Sequence, residues 1–123
     1  MNLNIDLVKR EISDFSFIEV KLISDFHLKM YEEDFEKKAV LEIEFVIESN
    51  GSRYKIMVRF HNPQEIKFES IGTYHQISLD IKDVSERRWE NIKLEVMDYE
   101  EDRLHFYCSR AEILDVRKTS YCL

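Results

Sequence analysis

The chain has 123 residues, 44% hydrophobic and 12% aromatic, which suits one folded domain over residues 1–123 and excludes a disordered polypeptide. A net charge of −7 argues against a nucleic-acid binder and against an anionic membrane surface; it would suit a basic protein partner, but the favoured reading of the charge alone is solubility. Two cysteines cannot form a disulfide framework, and two glycines leave little scope for a phosphate-cradling loop.

Residues 1–16 are expected to form a short N-terminal helix and lead-in, because Ile5, Val8 and Ile12 recur at helical spacing. The charged start lacks a signal-peptide core, and no run approaches the roughly 18 apolar residues of a membrane span. The expected location is therefore cytoplasmic.

From Phe17 to Lys118 the period becomes two, as in antiparallel strands with one buried face. Phe26, Leu28 and Met30 alternate with His27, Lys29 and Tyr31; Leu41, Ile43, Phe45 and Ile47 alternate with Glu42, Glu44, Val46 and Glu48. Asn50-Gly51 is a preferred two-residue hairpin turn, since both residues tolerate positive φ. That turn sets Ile47 against Tyr54, Phe45 against Ile56, Ile43 against Val58 and Leu41 against Phe60. On the other face it pairs Glu48 with Arg53 and Glu42 with Arg59, each pair worth ~0.2–1 kcal/mol.

Pro63 is expected to mark the start of a strand. Two more strands should follow in "EIKFES" and "YHQISLDIKD", joined near Gly72. "SERRWE" suits a single helical turn capped by Ser85. The next hairpin reads best with "DYEED" as a five-residue loop, setting Val96 against Leu104, Leu94 against Phe106 and Ile92 against Cys108. The apolar parity then flips at Ala111 and Ile113, which predicts a bulge or bend at Ser109 and Arg110. Residues 119–123 are a tail that includes Cys122. The fold expected is mainly β, α+β at most: one strongly bent antiparallel sheet or a small sandwich of about seven or eight strands.

Chemistry-bearing residues are present but not arranged for catalysis. "DYEED" lacks the glycine and flanking helices of a calcium loop. His27, His61 and His105 fall on outward faces, His75 lies near a strand start, and no histidine or cysteine pair has zinc-ligand spacing. His105 and Cys108 point to opposite faces, so no Cys–His nucleophile forms. No enzyme activity, metal or cofactor is expected. Trp89 follows Arg87-Arg88 and reads either as an exposed interface anchor or, the favoured reading, as a lid folded over the core. Candidate partner contacts are Tyr99, Glu100, Glu101 and Asp102, with Trp89 and Arg88.

Phe26-His27, the Asn50-Gly51 hairpin, "VRFHNPQEIKF", "ISLDIKDVSERRWENIKLEVMDYEEDRLHFYC" and "AEILDV" together resemble the immunity protein 50 family of polymorphic toxin systems. The most telling pieces are Trp89 ahead of Val96, Asp98 and Glu100, then Phe106-Tyr107-Cys108. The resemblance implies a non-enzymatic cytoplasmic protein that binds and blocks a cognate, basic toxin domain, and it carries over no catalytic residue. The alternative is a small-ligand-binding or oligomerising β module.

Overall fold

A computed structural model describes residues 9–10, 15–70 and 72–120, with Ile18 described by its backbone alone. Apart from Lys9 and Arg10, the expected N-terminal helix lies outside the described residues, as does Cys122. The described chain forms nine strands: β1 (Val20–Glu33), β2 (Glu36–Ser49), β3 (Ser52–His61), β4 (Gln64–Phe68), β5 (His75–Gln76), β6 (Leu79–Asp83), β7 (Leu94–Asp98), β8 (Leu104–Cys108) and β9 (Arg110–Thr119). They build two antiparallel sheets, one ordered β5-β1-β2-β3-β9 and one ordered β4-β8-β7-β6.

The core lies between the sheets. Ile43, Phe45, Val58 and Phe60 from the larger sheet meet Val96, Leu104 and Phe106 from the smaller, and all are fully buried or nearly so. Phe60 and Phe106 pack edge to face with centroids 5.0 Å apart, and Phe26 stacks on Phe68 at 4.3 Å. The β2–β3 hairpin has the register that Asn50-Gly51 predicts at every pair named above. Both turn residues have positive φ, 53° and 78°.

Two neighbouring strands change sheets at one corner. β3 ends at His61, Asn62 takes φ 53°, and β4 starts in the other sheet just after Pro63. Alongside, β8 and β9 are separated by Ser109 alone, whose N–H donates to the His61 carbonyl at 2.9 Å. Asn62 Nδ2 donates to Ser109 Oγ at 2.9 Å. The parity flip after Cys108 is therefore a change of sheet: Cys108 faces the core from one sheet, Ala111 and Ile113 from the other.

Four expectations need correcting. The segment after Gly72 is two strands: β5 pairs with β1, β6 pairs with β7, and neither pairs with β4. Ser85 is not a cap but the first residue of a 3-10 turn; the Asp83 carboxylate accepts from its N–H (2.9 Å) and its hydroxyl (2.6 Å) instead. In the β7–β8 hairpin Leu94 faces Cys108 and Val96 faces Phe106, two residues from the expected register with parity preserved. The physical reason is Asp98, which is buried at the end of β7 rather than solvated at the tip. Finally, Leu28 and Met30 are exposed: the apolar face of β1 runs on past the end of the second layer.

Candidate partner-binding surface

The acidic tip is a loop of residues 99–103 organised by Asp98. Its carboxylate accepts long hydrogen bonds from the N–H groups of Ser78, Glu100, Glu101 and Arg103, at 3.3 to 3.4 Å. That inward acid fixes the loop and leaves Tyr99, Glu100, Glu101 and Asp102 facing solvent. Lys67 from β4 donates to Asp102 at 2.8 Å. Each partner favours the other's charge, raising the Lys67 pKa and lowering that of Asp102. Of the four loop candidates, Asp102 is thus already engaged within the chain, and Glu101 lies 3.9 Å from the Arg103 guanidinium in a looser, exposed ion pair.

Trp89 and Arg88 sit elsewhere. They follow the 3-10 turn that precedes β7, so the length of β7, about 13 Å, separates them from the tip. Arg88 is exposed and takes φ 57°, its N–H donating to the Ser85 carbonyl. Trp89 is 43% exposed and lies edge-on to Tyr107 at 5.7 Å, with the Arg87 guanidinium over its ring. Tyr107 points away from the core on β8, so Trp89 covers an outer face and does not close over the core. The six candidates therefore form two groups at opposite ends of one hairpin.

Between them runs a polar ladder. His105 Nε2 and Glu95 Oε2 are 2.8 Å apart, and this hydrogen bond, working against partial burial, holds the Glu95 carboxyl below its ordinary value. On the larger sheet His61 does the same for Glu112, also at 2.8 Å. Cys108 lies inside the core, where burial pushes its thiol pKa up to about 12. His105 faces outward, so the thiol has neither the ionisation nor the neighbour that a nucleophile needs.

A third feature was missed from sequence. β1 and β2 continue past the corner as a two-stranded ribbon from Met30 to Ala39, since β3 accompanies β2 only as far as Val40. Its turn is Asp34-Phe35, with φ of 52° and 66°. Phe35 is 99% exposed and Met30 78%, with Leu28 and Tyr31 also exposed. Glu32, Glu33, Asp34 and Glu36 surround Phe35 in sequence. An open hollow of about 550 Å³ flanks the ribbon, lined in part by Met30, Ala39, Pro63 and Gln64. The sequence signal was the charge symmetry of "EEDFEKK", which sets Glu32 against Lys37 and lets Lys38 reach Glu33.

The family model described as Immunity protein PIM8 matches residues 6–113. The chain belongs to this immunity-protein family. The match spans the described sandwich from the start of β1 to the first half of β9. The resemblance drawn from sequence thus holds for an immunity-protein family, and PIM8 is the family that matches. Comparison with curated proteins and with solved structures gives no match. Membership in the PIM8 family supports a role in immunity against a toxin.

Proposed function

We propose that this chain neutralises a toxin by stoichiometric binding, covering the toxin's active or substrate surface in the cytoplasm and catalysing nothing itself. The match to the PIM8 immunity family carries this reading. The surface supports it: exposed aromatic residues stand among acids, some of them ion-paired within the chain, on a protein of net charge −7. Aromatic side chains bury much area at small entropic cost, and acids steer a basic domain into place. Tyr99, Glu100 and Glu101 are proposed contacts with free side-chain surface; Trp89 and Arg88 are proposed contacts at the other end of the hairpin.

The test is growth rescue. This chain is co-expressed with the C-terminal domain of each large secreted protein encoded beside it, and surviving colonies are counted. Rescue by the wild-type chain together with a stable one-to-one complex is the expected result. Survival without any complex would point to a chemical mode of protection and contradict the proposal.

A further inference from the structure

The Met30–Ala39 ribbon breaks three local rules at once. Its last rung sets Glu33 directly against Glu36, a like-charge pair that weakens a ladder. Its turn puts a phenylalanine at φ 66°, where glycine or asparagine would sit without strain. That same phenylalanine is fully in solvent, 99% exposed. None of these choices serves the fold. Local conflicts of this kind concentrate where function constrains the sequence.

From this we infer that the β1–β2 ribbon is the docking element of the chain, with Phe35 as its anchor, and that it fits a protein surface carrying an apolar pocket rimmed by lysine and arginine. The inference rests on the immunity reading and names the surface that performs it. The argument for this occupant is charge complementarity: Glu32, Glu33, Asp34 and Glu36 flank Phe35, and among the described residues only Glu33 of these has an ion-pair partner, Lys38 at 3.5 Å. A pocket that accepts the ring therefore meets three uncommitted acids at its rim. Behind the tip, Leu28 and Met30 continue an apolar stripe on one face.

The outer edge of β1 also matters. Among the described residues β1 is paired on that side only by β5, at Leu22 and Ile23, which leaves the backbone beyond Asp25 open to strand addition. Edge pairing with a second copy of this chain would use that backbone but hold each Phe35 beyond the ladder. A partner that takes the tip explains both features.

The test compares Phe35→Asn, chosen because asparagine accepts positive φ, and the triple reversal Glu32→Lys, Asp34→Lys, Glu36→Lys with the wild-type chain. The probe is the toxin C-terminal domain used for rescue, its own activity removed by substitution. Both variants should melt at or near the wild-type temperature. Phe35→Asn should weaken binding about 30-fold or more, mostly through faster dissociation. The reversal should slow association and abolish its dependence on low salt. If the wild-type chain binds and both variants stay within about threefold of it, the ribbon is not the docking element while the immunity reading stands. A wild-type chain that neither rescues nor binds overturns both. If the wild-type chain alone sediments as a dimer that Met30→Glu dissociates, the edge belongs to a second copy and the inference fails.

Discussion

At one end of β2 the chain turns through Asn50 and Gly51, and at the other through Asp34 and Phe35, with positive φ at all four positions. The first turn uses residues suited to that conformation and is followed inward by the opposite-charge pair of Glu48 and Arg53. The second uses a bulky aromatic residue and is followed by Glu33 facing Glu36. One strand thus ends in a turn chosen for folding and in a turn chosen for something else. The Asn50-Gly51 hairpin sits within the core-forming part of the larger sheet, whereas the Asp34-Phe35 ribbon leaves it. An isolated two-stranded ribbon is marginal in water, and this one is held because the same two strands continue into the sandwich.

The 99–103 loop sharpens the comparison, because it too pairs an aromatic residue with acids yet has an acid turned inward to hold it. Asp98→Ala is expected to cost the most, about 2–3 kcal/mol of stability, read from the urea midpoint. It strands four N–H groups at a nearly buried site. A midpoint that does not move would mean that the tip holds its shape without Asp98. Gly51→Val should cost about 1–2 kcal/mol, since a β-branched residue resists φ 78°. Unchanged melting would show that this turn is not under the constraint assigned to it.

The mirror-image change should run the other way. Asp34→Asn with Phe35→Gly gives the second turn the residues of a folding turn, and should raise stability by up to about 1 kcal/mol while reducing toxin protection. Gain of stability with full protection would break the contrast between the two turns.

The smallest effect concerns Glu95, which is paired where Glu36 is not. Its folded pKa lies below the ordinary 4.5, chiefly through the hydrogen bond with His105. A carboxylate depressed in this way adds stability above pH 4.5, and that contribution is lost as pH falls through the folded value. The stability gap between wild type and His105→Gln should therefore be present at about pH 5.5 and shrink towards about pH 3. A gap that is constant over that range would mean that the pair contributes through packing instead.

Alternation and turn chemistry made most strands legible. Asn50-Gly51 and the parity around it specify the β2–β3 register, because a slip by one residue would turn Phe45 and Ile56 to solvent. The β7–β8 pairing was legible in parity but not in register: nothing in "DYEED" distinguishes the buried Asp98 from the solvated acids after it. The division of β5 from β6 was hidden because "YHQISLDIKD" keeps one alternation while changing sheets. The ribbon was the least legible feature. Alternation says which face Leu28 and Met30 share with Phe26, but it cannot say where the second layer stops. Only the arrangement in space shows that Phe26 meets Phe68 while Met30 meets solvent.

Amide hydrogen exchange on this chain, alone and in complex with the inactivated toxin domain, tests the central claim most directly. Protection that rises most across residues 26–38, and by less in the 99–103 loop, is the predicted result. Protection confined to the 99–103 loop and the Trp89 face, with 26–38 exchanging as in the free chain, would contradict it.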